Sequence, residues 1–384
     1  MFSPELIPSL QQRETPFYFY DLKLLRETAG RCSAAAKAYG FHVHYAFKAN
    51  FDPRVLGIIR EAGIGADCVS GNEVLKAAET GFAPSRIVFA GVGKSDREIN
   101  AALDLDIFCF NVESIQELEI IDALAGARGK KARVAIRINP NVDAKTHKNI
   151  TTGLEENKFG INQWELNRCA EVLKSAHHLE FVGIHFHVGS QILDLDVFRS
   201  LCVKVNEIHQ WFRERGFTLK VLNVGGGLGV DYHQPDARSI VDFDAYFSIF
   251  NQFLERTPGQ EVHFELGRAL VAQAGSLISR VLYVKNGLKK NFLILDAGMT
   301  ELMRPMLYQA YHKIENITRN GEGENVRYDV VGPICESTDC FGKEVELPES
   351  FRGDLFAIRT AGAYGEVMAS RYNLREQAEA FYSE

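Results

Sequence analysis

The chain lacks several features that would assign it to a special class. No run reaches the roughly 18 apolar residues of a membrane-spanning helix, so no transmembrane segment is expected. The start, Met1-Phe2-Ser3-Pro4-Glu5, has no basic stretch leading into an apolar core, so no secretory leader is expected. No long basic block occurs, and 43 basic against 50 acidic residues leave a net charge of −7. Nucleic acid and anionic membrane are therefore not expected as partners, although local arginines could still hold a small anion. Cysteines are few and unpaired by spacing. The seven, at 32, 68, 109, 169, 202, 335 and 340, are odd in number and form no CxxC. Most read as small core residues, and a reducing, cytoplasmic compartment fits them. Repeats and low-complexity segments are absent apart from a strand–helix alternation.

That alternation is the dominant positive signal. Strand-like runs fall at Val43–Phe47, Ile64–Cys68, Ile87–Ala90, Ile107–Phe110, Arg133–Ile138, Phe181–His187, Leu219–Val224 and Val262–Glu265. Helix-period segments lie between most of them, among them Pro53–Ala62, Ser114–Ala125, Trp164–Ser175, Val197–Arg215 and Asp244–Glu255. Eight such units predict an α/β fold, a (β/α)8 TIM-like barrel over residues 22–265, ahead of a doubly wound open sheet. Residues 266–384 change character. Short β-like runs (Leu277–Val284, Phe292–Leu295, Tyr328–Val331, Asp354–Arg359) predict a C-terminal β-domain, with helical periodicity at Arg375–Phe381. The run Phe17-Tyr18-Phe19-Tyr20 reads as a strand that joins it, so residues 1–21 are assigned there. Val142–Asn162 reads as a long loop, with Lys158-Phe159-Gly160 as an anchored part.

Polar residues gather at the C-terminal ends of the barrel strands, the face that carries barrel active sites. Lys48 stands after the first strand, Asp67 and Ser70 at the end of the second, Asn111 after the fourth, and Arg137 and Asn139 at the end of the fifth. His187 and Ser190 stand at the end of the sixth, Gly225-Gly226-Gly227 follows the seventh, and Glu265 ends the eighth. A lysine delivered by a buried strand can form a Schiff base with an aldehyde; alone, it is also explained as an exposed strand end. The glycine run lets backbone N–H groups approach a phosphate, or simply makes a tight turn. His185 and His187 share one strand face. They read as a metal pair, as a ring stacked on an aromatic cofactor (His187), or as a core histidine (His185). No second cluster with metal-ligand spacing accompanies them, so no metal is expected. Glu265 could pair with a protonated ring nitrogen, or with Arg268 at the surface. Cys335 reads as a proton donor or as a buried cysteine, and Glu336 as a partner for an ammonium or as a surface acid.

Taken together, Tyr45–Asn50, His187–Gln191, Gly225–Gly229 and Glu265–Arg268 resemble the alanine-racemase-like group of pyridoxal phosphate decarboxylases. Within it, Asn157-Lys158-Phe159-Gly160, Asp296-Ala297-Gly298-Met299, Arg304–Tyr308, Gly332–Ser337 and Gly362–Tyr364 look like the diaminopimelate decarboxylase family, from about residue 15 onward. Glu265-Leu266-Gly267-Arg268 departs from the family's Glu-Pro-Gly-Arg, and His187-Val188-Gly189-Ser190 from His-Ile-Gly-Ser, with both charges of the first motif kept.

The resemblance implies pyridoxal 5'-phosphate as cofactor and meso-diaminopimelate as substrate, converted to L-lysine and CO2. Another basic amino-acid decarboxylase, of ornithine or arginine type, is the alternative. It implies Lys48 as the Schiff-base lysine, His187 stacked on the pyridine ring and Glu265 paired with the pyridinium nitrogen. Ser190, Gly225, Gly226, Gly227 and Tyr364 would hold the phosphate. Arg268, Arg304, Tyr308 and Tyr364 would bind substrate, with Glu336 on its distal ammonium. Cys335 would complete the catalytic set. In relatives Cys335 and Glu336 come from the partner subunit, which implies a homodimer with shared active sites.

Overall fold

The computed structural model describes residues 2, 4–142, 158–319 and 321–383. Two compact units divide the chain: Ala29–Gly229 with Asp242–Leu270, and Met1–Thr28 with Val230–Val241 and Val271–Glu384. The first strand, β1 (Phe17–Tyr20), belongs to the second unit. The next eight are β2 (Phe41–Ala46), β3 (Gly65–Cys68), β4 (Ile87–Phe89), β5 (Cys109–Val112), β6 (Ala132–Arg137), β7 (Leu179–His185), β8 (Val221–Asn223) and β9 (Glu261–Leu266). They form a closed parallel barrel in chain order, with β9 pairing back onto β2. The expected (β/α)8 barrel is therefore present.

The helices start where side chains satisfy the orphan N–H groups of a first turn. Asp52 accepts from Arg54 and Val55, Ser70 from Glu73, Ser114 from Glu117 and Asp242 from Ala245. Ser95 and Glu98 form a reciprocal capping box on Asp96–Leu105. The inward faces follow the 3.6 period. In Asp196–Glu214 the buried residues are Val197, Phe198, Leu201, Cys202, Val205, Ile208, His209 and Phe212. With helices outside and side chains inside, the strands are covered on both faces, which is why they read as near-continuous apolar runs.

The second unit is built on an eight-stranded sheet. Its strands after β1 are β10 (Gly275–Asn286), β11 (Asn291–Leu295), β12 (Ile314–Asn316), β13 (Asn325–Val331), β14 (Cys340–Pro348), β15 (Leu355–Ile358) and β16 (Glu379–Tyr382). The order is β12-β15-β10-β11-β13-β14, with β1 on β10 and β16 on β1. Both faces of β1 are buried. Tyr18 and Tyr20 pack with Leu277, Leu293 and Phe356, and Phe17 and Phe19 with Ile278 and Leu355.

Several boundaries differ from the sequence reading. β7 ends at His185, so His187 and Ser190 stand on the loop beyond it. The first barrel strand ends at Ala46, so Phe47, read as its last residue, instead opens the 3-10 turn Phe47–Ala49 that carries Lys48. Val230–Val241 groups with the β unit, inside the span assigned to the barrel. The helix expected at Arg375–Phe381 is instead the strand β16. Parallel pairing with β1 and packing of Phe381 on Phe17, ring centroids 5.0 Å apart, override local helical preference. The expected loop Val142–Asn162 falls mostly on 143–157, outside the described residues, as does Asn157 of its motif. Lys158-Phe159-Gly160 is anchored as expected: Phe159 lies against the Arg137 guanidinium, 4.8 Å from the ring centroid, and Gly160 N–H donates to Glu113 Oε2 at 3.1 Å. All seven cysteines are free; five are buried, Cys340 is intermediate, and Cys335 is exposed rather than buried. No helix among the described residues is long and apolar enough to cross a membrane.

Candidate active site

At the C-terminal ends of the barrel strands, three side chains converge on one carboxylate. Asn111 Nδ2 (β5) and Asn223 Nδ2 (β8) donate to Glu265 Oε1 at 2.8 and 2.7 Å, and His185 Nε2 (β7) lies 2.8 Å from Glu265 Oε2. All four residues are buried. Burial alone would raise the Glu265 pKa. The neighbouring His185 with its hydrogen bond, then Lys48, outweigh that and hold the carboxyl well below the usual range. Glu265 is therefore an ionised anion inside the barrel. A carboxylate offers about four acceptor positions, and three are used here, which leaves room for one further N–H.

Lys48 stands just beyond β2, the first barrel strand. Buried Tyr45 donates its hydroxyl to the Asn50 carbonyl at 2.8 Å and so fixes the turn between them. Lys48 Nζ lies 3.9 Å from Asp67 Oδ2; the lysine side chain is 42% exposed and the aspartate 1%. The 3-10 turn lifts this lysine to the mouth, where it is the exposed strand end of the sequence reading and still faces a buried carboxylate. Burial, then the nearby Glu265 charge, raise the Asp67 pKa.

His187 is held neutral by burial, then by Arg137 and Lys48, which disfavour a second positive charge. Gly226 N–H points at its Nδ1, 3.4 Å away. The glycine loop packs so closely that side chains are excluded. A Cβ on Gly226 would come 1.8 Å from the Glu265 carbonyl oxygen, and one on Gly225 2.2 Å from that of Phe186. Gly225 and Gly227 also take left-handed φ of 70° and 107°. Asn223 Oδ1 accepts from Gly225 N–H at 2.9 Å, so one asparagine ties this loop to the Glu265 clamp. Arg268, buried at the start of a short helix, donates from Nη2 to Ser190 Oγ at 3.1 Å. The structure thus brings together Lys48, His187, Ser190, Gly225–Gly227, Glu265 and Arg268. The donor set fits a phosphorylated pyridine aldehyde: a lysine, an ionised acid for a ring N–H, a neutral imidazole, and bare backbone beside a serine and an arginine.

The remaining candidates lie in the β unit. Buried Arg304 opens the helix Arg304–Tyr308; its Nη1 meets His312 Nε2 at 2.8 Å and its guanidinium lies 5.0 Å from the centre of the Tyr232 ring. His312 Nδ1 donates to the Arg359 carbonyl at 2.8 Å, which leaves Nε2 to accept from Arg304. Tyr308, at the end of that helix, is half-buried. Tyr364 is half-buried with a left-handed φ of 57°. Cys335 and Glu336 are exposed on the Gly332–Asp339 loop. Asp339 organises that loop by accepting from Ile334 N–H at 2.8 Å and from Met299 N–H at 2.7 Å. Tyr372 donates its hydroxyl to Glu336 Oε1 at 2.8 Å.

Sequence reasoning gave no role to Asn111, Asn223 or Glu113, and read His185 as a core histidine. Asn111 had one visible signal, a polar residue at a strand's C-terminal end. Glu113 Oε1 pairs with Arg137 Nη1 at 2.8 Å and accepts from Gly91 N–H at 2.9 Å. Burial works against its charge, but Arg137 and then Lys94 keep its pKa low.

Comparison with known proteins agrees with this geometry. Residues 25–272 match the family model for the pyridoxal-dependent decarboxylase pyridoxal binding domain. The chain is 55% identical over 379 residues to a diaminopimelate decarboxylase of Bacteroides thetaiotaomicron, covering 98% of both chains. It is 42% identical over 369 residues to that of Aquifex aeolicus, covering 95% of this chain and 85% of the relative. The crystal structure of diaminopimelate decarboxylase from Helicobacter pylori complexed with L-lysine superposes with a TM-score of 0.92 at 42% identity, covering 98% of this chain and 94% of the other.

Proposed function

The chain belongs to the pyridoxal-dependent decarboxylases, in the diaminopimelate decarboxylase family, and from that premise we propose that it converts meso-diaminopimelate to L-lysine and CO2. The observation that carries the reading is the clamped, ionised Glu265 at the strand ends that also present Lys48 and His187. Pyridoxal phosphate, when bound, supplies the sink for the electron pair left as CO2 departs.

The protein's part is binding, orientation and charge. Lys48 is the residue that would hold the cofactor's aldehyde, with its amine near the Asp67 carboxyl group. The ionised Glu265 would favour a protonated ring nitrogen, and neutral His187 would contact the cofactor without adding a repelling charge. Ser190, Arg268, the Gly225–Gly227 backbone and Tyr364 hold the phosphate. Cys335 delivers the proton that replaces CO2.

Substrate choice rests on the distal centre, which carries both a carboxylate and an ammonium. A planar guanidinium suits the carboxylate, and Arg304 is oriented for it by His312, with Tyr308 and Arg268 in support. Glu336 takes the ammonium. In this reading the exposed Cys335 and Glu336 serve the site of a partner copy, so the working form is a homodimer with shared sites. The seven free cysteines fit a cytoplasmic setting.

The test is a substrate panel with the purified chain and pyridoxal phosphate. Meso-diaminopimelate is expected to yield CO2 and L-lysine in equal amounts, and ornithine and arginine to yield essentially none. CO2 from ornithine or arginine but not from diaminopimelate would assign the chain to the other basic amino-acid decarboxylases.

A further inference from the structure

The N-terminal ends of the barrel strands carry a second polar cluster. β2 and β9 form the seam that closes the barrel, and there His42 stands in register with His263. Glu261, two residues before His263, and His44, two after His42, point to the same side. The contacts form a chain. His44 Nδ1 meets the Arg86 carbonyl oxygen at 3.1 Å, His44 Nε2 meets His263 Nδ1 at 2.9 Å, and His263 Nε2 meets Glu261 Oε2 at 3.0 Å.

Hydrogen bookkeeping along this chain does not close with neutral rings. A carbonyl oxygen only accepts, so His44 Nδ1 donates and its Nε2 must accept from His263 Nδ1. His263 then turns the lone pair of Nε2 toward a carboxylate oxygen, acceptor against acceptor. A cation between the two removes the conflict. Ligands of one tetrahedral ion with bonds of about 2.0–2.2 Å stand roughly 3.3–3.6 Å apart, so the pair, 3.0 Å apart here, needs to open by only a few tenths of an ångström, which the exposed Glu261 side chain allows. A third ligand is adjacent: the donor atoms of His42, Glu261 and His263 lie within 4.8 Å of one another, the one cluster of this kind among the described residues. The His263 ring is held in orientation by Phe108, centroids 5.1 Å apart and planes within 6°. His42 and Glu261 are exposed, so both can adjust to an ion and leave a position to solvent.

We propose that His42, Glu261 and His263 form a zinc site at the N-terminal mouth of the barrel, joining its first and eighth strands. Two imidazoles and a carboxylate are a borderline-soft set that suits Zn2+ far better than Mg2+ or Ca2+. The site lies on strand ends opposite those of the catalytic residues and takes no part in the decarboxylation.

The test uses the full-length holoenzyme, stripped by chelator and dialysed against Zn2+ or Mg2+, with bound metal measured by elemental analysis and melting by calorimetry. Wild type is expected to retain about one Zn2+ per chain above any background, and to melt higher with zinc but not with magnesium. Single variants His42→Ala and Glu261→Gln, both at exposed positions, should bind zinc at least about tenfold more weakly. They should lose the melting shift and keep decarboxylase activity and the wild-type circular dichroism. Zinc content and melting shift unchanged in both variants, or no zinc retained by wild type, would overturn the site.

Discussion

Glu265 owes its charge to its neighbours, and so does its use. Asn111, Asn223 and His185 hold it ionised where water is excluded. Glu265→Gln should keep the shape and lose the charge. Removing one preorganised electrostatic group typically costs about 10²–10³-fold in kcat, and that loss is expected here, with pyridoxal still bound by its absorption band. Arg304 tests the distal end. Truncating one partner of a desolvated charge pair costs about 2–5 kcal/mol, roughly 30- to 5,000-fold in kcat/KM. Arg304→Ala should lose that much on diaminopimelate and barely change any residual turnover of lysine or ornithine, which lack the second carboxylate. Equal losses on both would mean that Arg304 serves folding or the cofactor. At this scale Lys48, His187 and Glu265 were legible from position at strand ends. The asparagine clamp was not, because its members lie 154 and 42 residues from Glu265 and meet only when the barrel closes.

Elements set how tightly the site can be built. The glycine loop after β8 rests on the ends of β7 and β9, with no space for a Cβ at Gly226. Gly226→Ala should push the loop outward and weaken pyridoxal phosphate binding by at least about tenfold, as misplaced phosphate donors cost on the order of 1.4 kcal/mol or more. Fluorescence titration of the apoenzyme measures it. Glu113 joins the loop after β4, Arg137 on β6 and the segment at Gly160. Breaking this buried pair in Glu113→Gln should destabilise the chain by about 3–5 kcal/mol. The folded pKa of Glu113 lies below its ordinary 4.5. Its contribution is therefore complete above about pH 4.5 and is lost as pH falls through the folded value. Urea midpoints at pH 7 and pH 4 should show the variant less acid-sensitive than wild type. Most helices and strands were legible from periodicity and caps. β16 was not, because its pairing on β1 spans nearly the whole chain.

Across the whole molecule, the change from strand–helix alternation to short β runs announced two kinds of architecture, and the structure has both. The segment Val230–Val241 groups with the β unit although it lies inside the span read as barrel, and nothing in its composition marks it so. The proposed dimer makes a separate prediction. Lys48→Ala and Cys335→Ala should each be nearly inactive. Mixed and allowed to exchange subunits, they should regain part of the wild-type rate, because one site in each heterodimer is intact. Demonstrated exchange with no recovery would place the site within one chain.

The central claim, that the barrel's C-terminal face is organised around a cofactor on Lys48, meets its most direct test in borohydride reduction of the holoenzyme followed by peptide mapping. The account predicts a pyridoxyl label on the peptide containing Lys48, reduced when diaminopimelate is added first. A label on Lys94 or Lys158 instead would contradict it.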